Sequence, residues 1–510
     1  MDSMDKPGPD YVRVVAMLER KPGKQQWLVD LANNLVNNQL PRDVAIEEMG
    51  LPPEFIPNTS FYAVAMGPWQ PGALDFAMEK ISLDRESLER FRPENSVYFT
   101  ICGFVKANGP ASVPAYIKGK AGESDLTLYS DPGTGASLLC PNDDPFGTID
   151  DARAKLRVDR LAAAGLHGSG VAVAMVDSGI FLQHLSRTNL LTGVYELTRP
   201  VPKFPLPYRE PIDPPMLDFA NSWQPPRMAT PPGNHRIDHG TMCAYNVLAV
   251  APKATLLDYP ILNARPPGDH SVRGTVGSAI DAYYKLIYFW INNILGASEP
   301  EYSALVLNNS WTIFHPCEED FPPGDPRRYI DNLYHPFHRL VWILSQLGAD
   351  VVFAAGNGGL PCPAPPFLHL SAGSIRGAAA YAETLTVAGC DVHDFRVGYS
   401  SQGPAVPMSP GPTPDKPDIT AYTHYLGSQV FGEREADGGT STACPIAAGC
   451  IAAIRTKVKP MQVPPPQLFD ALRSTARPGN GGGPGGIYNI DYGYGIIDPL
   501  AAFQQLALMP

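Results

Sequence analysis

The hydrophobic rhythm of the chain changes about a third of the way along. In the first part, apolar residues alternate with polar ones or recur at helical spacing. DYVRVVAMLER (10–20) reads as a strand and QQWLVDLANNLVNNQL (25–40) as an amphipathic helix. SFYAVAMGP (60–68) reads as a second strand and ALDFAMEKISLDRESLERF (73–91) as a second helix. SVYFTICGFVK (96–106) and SVPAYIKGK (112–120) then pair as a hairpin. The order β-α-β-α-β-β is that of a small two-layer α/β sandwich. Gly, Pro and Asp crowd SDPGTGASLLCPNDDPFGTID (130–150), the composition of a linker.

Beyond it, short and almost wholly apolar runs alternate with helical stretches: GVAVAMVDSG, ATLLDYPIL, YSALVLNNSW, DVVFAAGNG and TLTVAGC. Strands apolar on both faces predict a parallel sheet covered by helices on either side. Several of these runs end in a small or polar residue at the edge where open parallel sheets bind ligands. The chain therefore divides into an N-terminal α/β domain (1–142), a linker (143–154) and a parallel-sheet domain (155–510). GNGGGPGG is a flexible surface loop.

Composition changes this picture little. Hydrophobic residues make up 44% and charged residues 18% of the 510, as in a globular protein with a sizeable core. The 55 prolines exceed the usual share of about 5% and cluster in short runs such as PIDPPMLDF, QPPRMATPPG, HPCEEDFPPGDP, PCPAPPF and VPPPQ. These predict rigid surface loops set into the framework, with disorder as the competing reading. The net charge is −12 with no basic block, which argues against a nucleic-acid partner. No apolar run reaches the ~18 residues that suggest a membrane span, and the N-terminus lacks a secretory pattern, so a cytoplasmic location is expected. The eight cysteines form no CxxC pair; free thiols, several of them buried, are expected rather than zinc ligands or disulfides.

Four polar residues end or begin elements of the parallel-sheet region. Asp177 closes the strand VAVAMVD, where a lone buried carboxylate is costly unless it is hydrogen-bonded. A strand-end turn explains it equally well. His239 opens a helix and can offer one ring nitrogen to an acid and the other to a hydroxyl. The neighbouring Asp238 is a poor acid partner, because consecutive side chains point apart. Ser441 in GGTSTACPIAAG lies at a helix mouth, where the helix dipole favours negative charge; a plain N-cap is the alternative. Pro445 fits the first turn of that helix. Asn357 ends DVVFAAGN in a glycine turn and can donate its amide to an oxyanion. Each feature is ordinary alone. Together, in the order Asp, His, Asn, Ser on one sheet, they can meet at a single edge.

With those residues in view, the sequence resembles the subtilisin-like serine peptidases. VAVAMVDSGIFLQH, with His184 seven residues after Asp177, resembles the family's Asp block. HGTMCAYNVLAVAPKA resembles its His block, AAGNGG its oxyanion-asparagine block and GGTSTACPIAAG its Ser block. YSSQGP, KPDITAY and YGYGIIDPLAA are smaller echoes, and the likeness runs from about 155 to 505. Cys243 resembles the free cysteine of the proteinase K-like branch. The departures are Met242 and Tyr245 in the His block, Thr442 and Ile446 in the Ser block, and Thr312 where the family has glycine.

The resemblance implies a serine endopeptidase with Asp177, His239 and Ser441 as triad and Asn357 in the oxyanion hole. It implies that Ser310, Trp311, Thr312, Ala355 and Gly356 contact substrate, with Thr312 narrowing the pocket entrance. No cofactor is implied for catalysis, although calcium is a candidate structural ion. The N-terminal domain corresponds either to a prodomain acting on the cleft of its own chain or to an unrelated accessory domain. The departures and proline-rich rims suggest restricted intracellular processing of peptides or proteins. Peptide ligation or macrocyclisation through the same acyl-enzyme and a silent binding scaffold are the alternatives.

Overall fold

The computed structural model describes residues 7–19, 55–57, 64–65, 99–107, 112–113, 116–118, 125–135, 144–185, 217–225, 228–264, 272–295, 300–313, 319–359 and 373–508. The helices expected at 25–40 and 73–91 lie outside these.

The N-terminal part is an antiparallel sheet of β1 (Tyr11–Glu19), β2 (Ile56–Pro57), β3 (Val64–Ala65), β4 (Phe99–Lys106), β5 (Tyr116–Lys118) and β6 (Asp125–Ser130), in the order β2-β4-β1-β6-β5 with β3 also on β4. Among the described residues, the expected pairing of 96–106 with 112–120 does not form. β4 pairs along eight positions with β1, from Tyr11↔Lys106 to Leu18↔Phe99, and β5 pairs instead with β6. The physical reason is length: the nine-residue β1 satisfies the whole apolar ladder of β4, which the three-residue β5 cannot.

The stretch read as a linker is more structured than its composition suggests. Gly133–Gly135 forms β7, paired antiparallel with β10 (Arg273–Thr275). Helix α1 (Ile149–Leu156) begins inside the predicted linker. It is capped by Thr148, whose hydroxyl accepts from the Asp151 amide while Asp151 accepts back.

The larger part is a six-stranded parallel sheet in the order β14-β13-β12-β11-β8-β9: β8 (Val171–Asp177), β9 (Thr255–Pro260), β11 (Ala304–Asn309), β12 (Asp350–Ala354), β13 (Leu385–Cys390) and β14 (Ile419–Tyr422). Every residue of these strands is buried, because helices cover both faces. One face carries α1, α2 (Val158–Ala163), α4 (His239–Val250), α7 (Thr440–Arg455), α8 (Pro465–Ser474) and α9 (Pro499–Ala507). The short α3 (Leu182–Leu185) follows β8. The other face carries α5 (Val276–Phe289), which continues into a π-turn to Leu295, and α6 (Pro336–Gln346). VPPPQ proves to be no loop: its prolines occupy the cap and first turn of α8, where their missing N–H groups are tolerated.

The two parts share one core, for Val15 and Cys102 of the antiparallel sheet pack into the cluster around α5. The Asp131 carboxylate accepts the Gly277 amide (2.7 Å), capping α5 from across the junction. Ser130 donates its amide to Arg327 O, and its own carbonyl accepts from His335 Nε2 (2.9 Å). Burial holds His335 at about 4, so the ring is neutral and this proton is fixed. The five described cysteines, 102, 243, 390, 444 and 450, are free and buried. Among the described residues, no helix is long and apolar enough to cross a membrane.

The far end of α7 is anchored by a fully buried ion pair in which Arg455 grips Asp350 through two bonds of 2.6 and 2.7 Å. Asp350→Ala leaves that guanidinium unpaired in the core and is expected to destabilise the protein by about 3–5 kcal/mol, measured by urea or thermal unfolding.

Candidate active site

Asp177 ends β8 with its side chain fully buried. Its Oδ1 accepts from the Ser178 amide (2.7 Å) and faces Nδ1 of His239 at 2.8 Å. His239 is the first residue of α4. Asp238 is its N-cap, with a carboxylate that accepts the His239 amide (2.8 Å); it serves the helix rather than the imidazole. The approach of α4 to β8 requires two glycines. A side chain on Gly240 would meet Gly179 O at 2.5 Å, and Gly179 itself has φ 95°.

Ser441 lies in the first turn of α7, which starts at Thr440 after Gly439 at φ 80°. The cap comes from another element: Asn357 Oδ1 accepts both the Thr440 amide (2.9 Å) and its hydroxyl (3.0 Å). This fixes the Asn357 carbonyl oxygen against the helix.

Pro445 sits in the second turn rather than the first, so it withholds the N–H that would bond the Ser441 carbonyl four residues earlier. Two side chains replace it. Ser310 Oγ donates to Ser441 O at 3.0 Å, and Cys243 Sγ donates to the same atom at 3.4 Å. Cys243 is one turn along α4 from His239 and its sulfur lies 3.8 Å from Nδ1. Burial, reinforced by Asp177, pushes the thiol well above its usual range, so it acts as a neutral donor. The Ser441 hydroxyl donates to Ser310 O (3.1 Å). The structure thus draws Asp177, His239, Asn357 and Ser441 from two strand ends and two helix starts.

The expected substrate contacts divide by atom. The Ser310 side chain turns inward to Ser441, and the Trp311 indole is in the core against Phe337 and Phe353, so only backbone of these two remains to face a ligand. Thr312 exchanges both backbone bonds with Gly135 (3.1 and 3.2 Å). Gly356, at φ 100°, donates to Thr440 Oγ1, and Ala355 donates to Val387 O. Two of the departures meet each other: the Thr442 hydroxyl contacts Met242 Sδ at 3.5 Å where α4 crosses α7.

A second acid–imidazole pair braces the Asp177 turn and was not foreseen from sequence. Asp258 on β9 accepts the amides of Gly233 (2.9 Å) and Ile180 (3.2 Å), and its carboxylate lies 3.5 Å from His235 Nε2. The His235 ring packs on Gly179, where a side chain would meet it at 2.3 Å. Burial and then the negative charge of Asp177 raise Asp258 to about 7 against the pull of those amides, while burial lowers His235 to about 4. The available signal was a lone carboxylate inside the apolar run ATLLDYPIL.

Asp177, His239 and Cys243 bring one ligand atom each within 4.8 Å of one another. The set does not suit calcium, which prefers oxygen, and its thiol is held protonated.

The profile of the subtilase family matches residues 168–495, and the chain belongs to that family. Membrane-bound transcription factor site-1 protease of Homo sapiens is 32% identical over 181 residues, 34% of this chain and 16% of that protein. Calcium-dependent protease of Trichormus variabilis is 31% identical over 179 residues, 31% of this chain and 24% of that protein. The matched region thus spans a quarter or less of either relative. Among solved structures, MycP1 with its N-terminal propeptide removed aligns at TM-score 0.41 and 21% identity, over 71% of this chain and 97% of that one. A lanthipeptide protease aligns at 0.45 and 17%, over 71% and 99%.

The Asp258 carboxyl binds its proton more tightly folded (about 7) than unfolded (3.8). Its contribution to stability is therefore full below about pH 4 and lost as pH rises to about 7. Asp258→Asn keeps both amide bonds and removes the titration. Wild type is expected to lose about 3 kcal/mol relative to this variant between pH 4.5 and 7.5 in parallel unfolding titrations.

Proposed function

We propose that this subtilase cleaves peptide bonds through an acyl-enzyme formed on Ser441, with His239 as general base and Asp177 as its orienting acid. The observation that carries the reading is the carbonyl of Ser441, bonded by Ser310 and Cys243, which sets the serine beside the helix that bears His239. The Asp177–His239 bond fixes one ring nitrogen, leaving Nε2 for the serine proton. A hydroxyl has one proton, and here it is held by Ser310 O, so rotation about the Ser441 side chain hands it to the imidazole when substrate arrives. Ser441 then attacks the scissile carbonyl, and His239 returns the proton to the leaving amine. The oxyanion is received by the Ser441 amide and by the NH₂ of Asn357, whose carbonyl oxygen caps α7.

The N-terminal domain acts on the cleft of its own chain in this proposal. The resemblance assigns substrate-backbone pairing to 310–312, and Gly135 takes up that pairing at Thr312 while β10 holds its other edge. A segment bonded on both edges occupies the path of a bound peptide. Restricted processing follows from a channel already filled. Calcium enters only as a structural ion, by analogy with the calcium-dependent relative.

A fluorophosphonate probe is expected to label Ser441 in wild type and not in Ser441→Ala. A folded chain that remains unlabelled after β7 is displaced overturns the proposal in favour of a silent scaffold. Asn357→Ala is expected to reduce kcat by about 10²–10³. A loss under tenfold removes Asn357 from the oxyanion hole.

A further inference from the structure

We propose that the cleft selects substrates with glycine three residues before the scissile bond. The inference rests on the peptidase reading above and deepens it to a substrate class.

The position is set by register. Gly135 pairs antiparallel with Thr312, its amide donating to Thr312 O (3.1 Å) and its carbonyl accepting from Thr312 N (3.2 Å). A peptide lying in the same place advances two residues as the cleft strand goes back two, so its second residue after the glycine stands opposite Ser310. The Ser310 carbonyl is the atom that holds the Ser441 hydroxyl. The bond presented to Ser441 therefore follows that residue, which puts the glycine third from the cut.

Glycine is required there by the opposite wall. A Cβ on Gly135 would lie 2.7 Å from Val272 O, closer than nonbonded carbon and oxygen approach, and 3.5 Å from Arg273 Cγ. The obstructing atom is backbone, so no rotamer change relieves it. Nor can the wall retreat. Arg273 and Ala264 exchange both backbone bonds at 2.9 Å, and Gly274 presses so closely on the next segment that its own Cβ would meet Ile261 O at 2.3 Å. On the other edge the Thr312 backbone is committed to the same residue. The channel grips one residue from both sides and leaves no volume for a side chain toward β10.

The test is a cleavage profile of the full-length chain, and of full-length Gly135→Val to displace β7, on a peptide library randomised over six residues, with Ser441→Ala as blank. Matched peptides then carry Gly, Ala or Val at the third residue before the cut. The expected result is glycine enrichment at that position, with the Ala peptide cut at least tenfold more slowly in kcat/KM and the Val peptide more slowly still. Gly135→Val is expected to raise the rate of fluorophosphonate labelling at Ser441 at least tenfold over wild type, with its circular dichroism spectrum unchanged. Ala or Val peptides cut within threefold of Gly overturn the inference and leave the peptidase reading intact. So does a labelled enzyme that cuts none of the glycine peptides. A folded Gly135→Val chain in which Ser441 is neither labelled nor able to cut any peptide overturns the peptidase reading itself. If Gly135→Val misfolds, the matched peptides on the wild-type chain decide the question alone.

Discussion

One carbonyl group organises this candidate active site. Proline at 445 removes the N–H that an ordinary helix would aim at the Ser441 oxygen, and a buried acceptor without a partner is costly. The replacement donors come from two other elements, Ser310 after β11 and Cys243 inside α4. The break in one helix thus becomes a joint among three elements. The joint lies on the same residue as the serine side chain and one helical turn from His239. It also limits how far α4 and α7 can separate, while Gly449 lets them approach: a Cβ there would meet Val247 O at 2.8 Å.

Much of this was legible in the sequence, because the signals were local. An apolar run ending in Asp, a His that opens a stretch of small and apolar residues, and a Gly-Gly-Thr-Ser helix mouth each mark a strand end or helix start without reference to the rest of the chain. What was not legible depends on pairings distant in sequence. Pro445 reads as a first-turn proline until it is known that the helix starts at Thr440, capped by Asn357 from 83 residues away. Trp311 reads as a substrate contact until the aromatic cluster of Phe337 and Phe353 claims it. Met242 and Thr442 look like two independent departures, yet they touch across a helix crossing. β7 has the composition of a linker because its conformation is set by partners on both edges, not by its own Gly-Thr-Gly.

The same distinction explains the N-terminal sheet. Strand order there was misjudged because proximity in sequence favours a β4–β5 hairpin, whereas ladder length favours β1 as the neighbour of β4. The sheet also closes the core around α5 and caps that helix through Asp131. The antiparallel and parallel sheets therefore stabilise each other through the helix that follows β10. Continuity of the chain through β6, Asp131 and β7 means that whatever loosens the sheet also loosens β7.

A tethered occupant also sets a concentration scale. In the arrangement proposed above, β7 is joined to the wall it binds and would compete with incoming peptides as though present at roughly millimolar concentration. A peptide whose intrinsic Kd is micromolar then half-fills the cleft only near a thousandfold higher concentration if the strand binds equally well. On that proposal, so long as the tether is intact, scarce or loosely fitting peptides would be ignored, and turnover would begin only where a substrate is abundant or is itself brought close.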